Sequence, residues 1–167
     1  MNENGQKVAD IIDNIRRVFQ VVNEHSKKAE KETGITGPQL WAIKTIGEYA
    51  PIKGAELARR MYLHPTTIVG ILDRLEAREL VVRTRSKVDR RIVEVELTEQ
   101  GKTLVASAPE VAQGMLVKGL EKLPKENLLR ISDGLAELVR ILGADEIPPR
   151  LILSSEVNLP KKVRNDL

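Results

Sequence analysis

Apolar residues recur every three or four positions along most of the chain, which is the spacing of one face of an α-helix. The pattern predicts a long amphipathic helix over residues 7–31 and a second helix from Gly37 to the Ala50-Pro51 step. A short helix is predicted over residues 54–61, and a further helix begins at Pro65. The first half of the chain is therefore helical.

The apolar spacing changes to two after Leu80, as in a half-buried β-strand. Two such runs, VVRTRS and RIVEVELT, flank the tip KVD and its neighbouring arginines. In the second run Val93, Val95 and Leu97 alternate with residues of the opposite face. The segment predicts a β-hairpin over about 81–97.

The helical spacing returns after the hairpin. Thr98 is a suitable N-cap for a helix from Glu99 to about Leu123, in which Pro109 is expected to cause a kink. A last helix ends at Gly143. The remaining segment, 144–167, has three prolines and no helical period, and is predicted to be a mostly extended tail of unassigned role.

The order of these elements predicts a mainly α (α+β) fold: a winged helix-turn-helix with a two-stranded β-wing, flanked by long N- and C-terminal helices. A chain of 167 residues suits one domain, expected over 7–143, with the helix-turn-helix at about 53–76 and the wing at about 81–97. The outer helices have apolar stripes but few aromatic partners, since the chain holds one Phe, one Trp and two Tyr. A second copy is therefore expected to pack on helices 7–33 and 99–143, giving a homodimer.

Positive charge is concentrated in one region. The whole chain carries a net charge of +3, but between Lys53 and Arg91 ten Lys and Arg residues outnumber five Asp and Glu residues. Binding to a polyanion depends on clustered cations rather than on the total. The core at about 37–98 is therefore predicted to bind DNA.

The helix from Pro65 presents a face suited to a major groove. With 100° per residue, Ile68, Ile71, Leu72 and Leu75 point inward and Thr66, Gly70, Asp73 and Arg74 point outward. A glycine within a helix costs roughly 1 kcal/mol relative to alanine, so Gly70 favours close contact over a merely solvated face. The predicted DNA contacts of this helix are Pro65, Thr66, Thr67, Val69, Gly70 and Arg74, with Thr67 and Val69 toward its edges.

The hairpin tip is suited to the adjacent minor groove, which attracts arginine where it is narrow. Its predicted contacts are Arg85, Lys87, Asp89, Arg90 and Arg91. Asp89 repels phosphate, so it helps only if it pairs with an arginine and directs that guanidinium. A charged tip that merely protects an edge strand from aggregation would not need five cations within nine residues.

These segments resemble the MarR/SlyA family of winged-helix transcription regulators, above all in ILDRLEARELV, DRR and VELTEQG. The resemblance spans residues 7–143. It implies an obligate homodimer on a palindromic operator in double-stranded DNA, and usually repression that a small aromatic or phenolic ligand relieves. By motif, Arg74 corresponds to a phosphate-contacting arginine, and Asp89 with Arg91 to the family's wing pair, Arg91 lying in the minor groove.

Trp41 has two interpretations, and His64 is an atypical N-cap. Trp41 either belongs to the core or lines a pocket between its helix and the dimer helices, where effectors of this family bind. His64 precedes the helix from Pro65, where Ser, Thr or Asp would make a better N-cap.

Other functional classes find little support in the composition. The chain has no cysteine, which excludes disulfides and thiol chemistry and suits a reducing cytoplasm, and no segment resembles a signal peptide or membrane span. With only His25 and His64 and no carboxylate cluster, neither a metal nor a cofactor is expected. No phosphate-binding glycine loop or activated serine indicates an enzyme.

Two alternatives stay open. A winged-helix module could bind an acidic protein partner, and would then show no steep salt dependence on duplex DNA. An enzyme of unknown type would need a pocket with converging titratable groups.

Overall fold

A computed structural model of the chain describes residues 2–154 and residue 158. The described residues form seven helices and three strands, in the following order: α1 (Glu3–Thr33), α2 (Gly37–Tyr49), β1 (Ile52–Lys53), α3 (Gly54–Arg60), α4 (Pro65–Ala77), β2 (Val81–Arg85), β3 (Val93–Leu97), α5 (Glu99–Ser107), α6 (Ala112–Leu120) and α7 (Lys125–Ile141).

The hydrophobic core lies where α2, α3 and α4 meet the sheet. Helix α4 contributes the predicted inward stripe, and each of its four residues is buried. The predicted inward residues of α2 and α3 are buried as well, which confirms the helical periodicity: Leu40, Ile43, Ile46, Leu57, Ala58 and Met61. Together these helices form the helix-turn-helix core.

The wing consists of β2 and β3, and a short third strand extends it. Strand order is β1-β3-β2 with both pairs antiparallel, Ile52 lying opposite Val95 and Val81 opposite Leu97. The predicted winged helix-turn-helix is confirmed, but its sheet has three strands rather than two. Because β1 has only two residues, no alternation of apolar and polar positions marks it in the sequence.

The predicted helix from Glu99 to Leu123 is wrong in one respect, because two helices occupy this segment. Helix α5 ends at Ser107, and Ala108 adopts an extended conformation with ψ at 142°. Proline disfavours the α conformation in the residue before it, so Pro109 separates the helices instead of kinking one. The connection is held to α1 and α2 at Glu110, whose carbonyl lies 3.0 Å from His25 Nδ1 and whose carboxylate lies 3.6 Å from Lys44 Nζ.

The segment after α7 returns to the core. Helix α7 is followed by Gly143 in the left-handed conformation, with φ at +62°. As predicted, no helix follows in the described part, but the segment turns at 145–146 and again at 152–153 rather than staying extended. Leu151 is buried in the main hydrophobic cluster. Residues 155–157 and 159–167 of the predicted tail lie outside the described residues.

Gly101 is required by the packing of α5 against the connection between α4 and β2. A Cβ at this position would lie 2.1 Å from the carbonyl oxygen of Leu80, which also accepts the N–H of Thr98. Backbone cannot yield as a flexible side chain would. Gly101→Ala is therefore expected to lower the free energy of unfolding by about 1–3 kcal/mol in chemical denaturation at fixed protein concentration.

Gly70→Ala is the matched control for this substitution. A Cβ at Gly70 meets nothing within 4 Å, so alanine should raise the free energy of unfolding by about 1 kcal/mol through its helix propensity. Equal stability of the two variants would contradict the assigned role of the Leu80 contact.

Candidate nucleic-acid interface

Helix α4, the second or recognition helix of the helix-turn-helix, begins at Pro65, and His64 is its N-cap. Nδ1 of His64 accepts the N–H of Thr66 at 3.2 Å, the bond that a serine or aspartate cap would make. Pro65 suits the first helical position because its missing N–H would have no partner there. The imidazole thus replaces the usual short polar cap.

The outward face of α4 contains most of the DNA contacts predicted for this helix. Pro65, Thr66 and Arg74 are exposed, Val69 is 52% exposed, and Gly70 is partly exposed between them. The side chains at the N-terminal end of this face are small, and no Cβ fills the space over Gly70. This face therefore allows close approach of another surface.

Thr67 is the exception, and its predicted orientation is wrong. It is only 7% exposed. The physical reason is its register: Thr67 precedes Ile71 by four residues and Leu75 by eight, so it continues the inward stripe. Its hydroxyl lies 3.5 Å from Oδ1 of Asn158.

The tip of the wing has the arrangement predicted for Asp89. Oδ1 of Asp89 accepts both the backbone N–H of Arg91, at 3.0 Å, and its Nε, at 3.1 Å, while Oδ2 accepts Nη2 at 3.0 Å. These bonds to the Arg91 side chain and backbone hold the pKa of Asp89 below its usual value. The side chain of Arg91 remains 91% exposed. The carboxylate thus fixes the direction of a guanidinium that stays accessible.

The other wing cations differ in their surroundings. Nη1 of Arg85 donates to the carbonyl of Arg90 at 2.8 Å, so Arg85 holds the two ends of the tip together. The hydroxyl of buried Ser86 accepts the N–H of Val88 at 3.3 Å, which holds the first residues of the tip in a turn. Lys87 and Arg90 have exposed side chains.

Arg83 links the wing to the recognition helix, a role that the sequence analysis missed. Its Nη2 contacts both Asp73 and Glu76 of α4, and its Nε donates to Glu76 at 3.0 Å. These bonds lower the pKa of the Glu76 carboxyl group. The acidic residues of α4 are thus paired before any polyanion arrives, and helix and wing are held in one orientation.

Part of the clustered positive charge is neutralised inside the protein. Arg59 and Arg60 both lie within 2.8 Å of the Glu56 carboxylate, and Arg83 is paired with α4. Outward-directed charge is consequently concentrated at the tip of the wing, which Arg83 joins to α4.

Trp41 packs against the core and also lines a cavity. It packs against the hydrophobic core, and α6 approaches it so closely that a Cβ at Gly114 would lie 3.2 Å from the indole ring. Its ring also lines a cavity of about 240 Å³. The other walls come from the helix-turn-helix, α6 and the C-terminal segment, and include Met61, Leu63, Leu116, Leu151 and Ile152.

Comparison with known proteins decides the family. The MarR family model matches residues 35–93. The organic hydroperoxide resistance transcriptional regulator of Bacillus subtilis (strain 168) is 32% identical over 108 residues, which are 65% of this chain and 72% of that protein. The chain belongs to the MarR family.

Longer alignments extend this relationship beyond the core. The transcriptional repressor MdtR of Bacillus subtilis (strain 168) is 25% identical over 146 residues, covering 87% of this chain and 94% of that protein. A crystal structure of a MepR-like protein complexed with pseudoligands has 30% identity and a TM-score of 0.51, covering 85% of this chain and 99% of that one. The relatives are transcriptional regulators rather than enzymes, and MarR-family regulators bind DNA.

Two further observations bear on the other functional classes. Within the described part of this MarR-family chain, no helix is long and apolar enough to cross a membrane. The same residues contain no group of three or more His, Asp or Glu side chains placed to hold a metal ion.

The Asp89–Arg91 geometry predicts the sign of one substitution. Asp89→Ala removes a negative charge from the wing, so electrostatics alone predicts tighter DNA binding. We expect binding about fivefold weaker instead, because Arg91 loses the carboxylate that directs it. The affinity for a duplex selected from random DNA, titrated at stated salt, measures the effect.

Glu96→Ala is the matched control for Asp89→Ala, since it removes the same charge from an exposed position of the same wing. Its affinity should be unchanged or slightly higher. Tighter binding by both variants would mean that Asp89 only repels DNA.

Proposed function

We propose that this MarR-family protein is a repressor that binds a palindromic operator in double-stranded DNA as a homodimer. The observation that carries the proposal is the combination of two features on elements that Arg83 joins: the small, open face of α4 around Gly70 and the directed arginine of the wing. A small helix face fits a major groove, and a projecting arginine fits the minor groove beside it.

In the major groove, α4 supplies the contacts that distinguish bases. Pro65, Thr66, Val69 and Gly70 offer a hydroxyl, methyl groups and close approach, which suit base edges and the thymine methyl group. Arg74, further along the helix, is assigned to a phosphate. Thr67 is left out of this contact set because it is buried.

In the minor groove, the wing supplies contacts that depend on DNA shape. Arg91 is the proposed groove residue, oriented by Asp89, and Lys87 and Arg90 contact the phosphates on either side. Arg85 has the indirect role of holding the tip, as its bond to the Arg90 carbonyl supports. Preference for A·T-rich flanks is expected, since narrow grooves attract arginine.

Apolar faces of the terminal helices support the homodimer. Helix α7 buries none of its residues within the described chain, although it presents an apolar stripe that includes Leu128, Leu135 and Val139. A groove of about 550 Å³ between α1 and α6 is lined by valines, leucines and Met115. A second copy would cover these faces and set two recognition helices about 34 Å apart, one turn of DNA.

The Trp41 cavity supports control by a small aromatic or phenolic effector. An apolar cavity of about 150 Å³ is enough to bind benzene, and this one has about 240 Å³. It lies between the helix-turn-helix and α6, so an occupant would change how the DNA-binding core sits on the proposed dimer helices.

Selection of bound sequences from random duplex DNA tests the proposed function. We expect a palindromic consensus with half-sites one helical turn apart, from which phenolic ligands release the protein. Lys87→Ala should weaken binding to all sequences alike and reduce the salt slope by about one unit, because phosphates carry no sequence information. Thr66→Ala should change the preference at particular positions.

The opposite result would favour another function. If no sequence is enriched and duplex binding does not depend steeply on salt, the protein is better described as a protein-interaction module than as a DNA-binding regulator.

The assembly is tested separately by sedimentation. Leu135→Lys places a charge on the apolar stripe of α7, and we expect it to convert the dimer to monomers because that charge would be buried at the interface. Glu137→Lys introduces the same side chain on the opposite face and breaks only an exposed ion pair with Arg140. It should leave the dimer intact, and a monomeric wild-type protein at micromolar concentration would contradict the proposed interface.

A further inference from the structure

Two described parts of the C-terminal segment, residues 149–152 and Asn158, lie next to the turn of the helix-turn-helix, although nothing in the proposed DNA contacts requires them. Pro149, Leu151 and Ile152 form one wall of the Trp41 cavity, and Asn158 reaches the start of α4. The segment therefore contacts the ligand cavity on one side and the recognition helix on the other.

Leu151 anchors this segment. Its side chain is 9% exposed and belongs to the main hydrophobic cluster, whereas Leu153, two residues later, is 57% exposed. Nε2 of Gln113 on α6 donates to the carbonyl of Ile152 at 3.3 Å. One apolar contact and one hydrogen bond thus fix the segment between α6 and the core.

Asn158 braces the turn that precedes the recognition helix. Its Oδ1 accepts the backbone N–H of His64 at 2.8 Å and lies 3.5 Å from the Thr67 hydroxyl, while its Nδ2 donates to the carbonyl of Tyr62 at 3.4 Å. The amide side chain of Asn158 therefore contacts the residues before and after the N-cap as well as the N-cap itself.

The braced turn contains an unfavourable backbone conformation. Tyr62 has φ at +53°, in the left-handed region that residues other than glycine rarely adopt and that persists only when surrounding contacts hold it. Those contacts come from Asn158 at its carbonyl and from Glu121, which accepts the Tyr62 hydroxyl at 2.8 Å. The direction in which α4 leaves the turn depends on this conformation.

We propose that the C-terminal segment positions the recognition helix, with Leu151 as its anchor and Asn158 as the positioning residue. The proposal rests on the proposed function, because it concerns how α4 is presented to DNA. It also bears on the regulation of that function, because Leu151 lines the Trp41 cavity and a ligand bound there would contact the segment that holds the turn.

The test compares three full-length variants: Asn158→Ala, Leu151→Ala and Leu153→Ala. The last is a matched leucine-to-alanine control, since its side chain is largely exposed. Two quantities are measured for each: the affinity for the selected operator relative to a shuffled duplex, and the hydrogen-exchange rate of the His64 amide.

Asn158→Ala should lower the operator preference about fivefold, the effect of one lost neutral hydrogen bond. Affinity for the shuffled duplex should stay the same, because no DNA-facing cation changes, and the His64 amide should exchange faster. Leu151→Ala should act in the same direction, and Leu153→Ala should match the wild type. General loss of stability would instead weaken binding to both duplexes together.

The outcomes separate this proposal from the proposed function. If the wild type prefers the operator and Asn158→Ala keeps that preference, the segment does not position the helix. Unchanged exchange at His64 in Asn158→Ala overturns the brace itself, and this measurement needs no DNA. If exchange rises but the wild type shows no operator preference, the brace exists and the proposed function fails.

Discussion

Burial of one stripe on α4 determines what the rest of the molecule presents to a partner. Ile68, Ile71 and Leu75 are at most 1% exposed, and burying each such side chain contributes about 1.5–3 kcal/mol. Turning the helix by one residue would expose part of the stripe. The free energy lost would exceed the roughly 1 kcal/mol that a new surface contact contributes. The core therefore fixes the face around Gly70 as the outward one.

The register of the α4 stripe explains where prediction from sequence succeeded on this helix and where it failed. Periodicity identified the stripe, and with it the helix-turn-helix and most of the outward face. Thr67 was misplaced because its polarity was given more weight than its register with Ile71. The break after α5 and the two-residue strand β1 were missed for a different reason: each depends on a local backbone preference or on pairing with a distant strand, and neither leaves a periodic signal.

Within the site, the sequence distance between partners decided what could be predicted. Asp89 and Arg91 are two residues apart, so their pairing follows from a local argument about charge. Arg83 meets Asp73 and Glu76 only because the wing folds back on α4. Charge counting treated Arg83 as one more cation for DNA, whereas its structural role is to neutralise the acids of the recognition helix and hold helix and wing together.

The C-terminal segment contacts the other end of α4, as the wing contacts its C-terminal part. Arg83 restrains α4 through Asp73 and Glu76, and Asn158 restrains the turn before its first residue, so the helix is held at both ends by groups from outside it. The wing restraint involves no residue of the cavity wall. The restraint at the N-terminus of α4 involves a residue of the cavity wall, because Leu151 both lines the Trp41 cavity and anchors the C-terminal segment. An occupant of that cavity would therefore act on the start of the helix through Leu151, while the wing would keep its geometry.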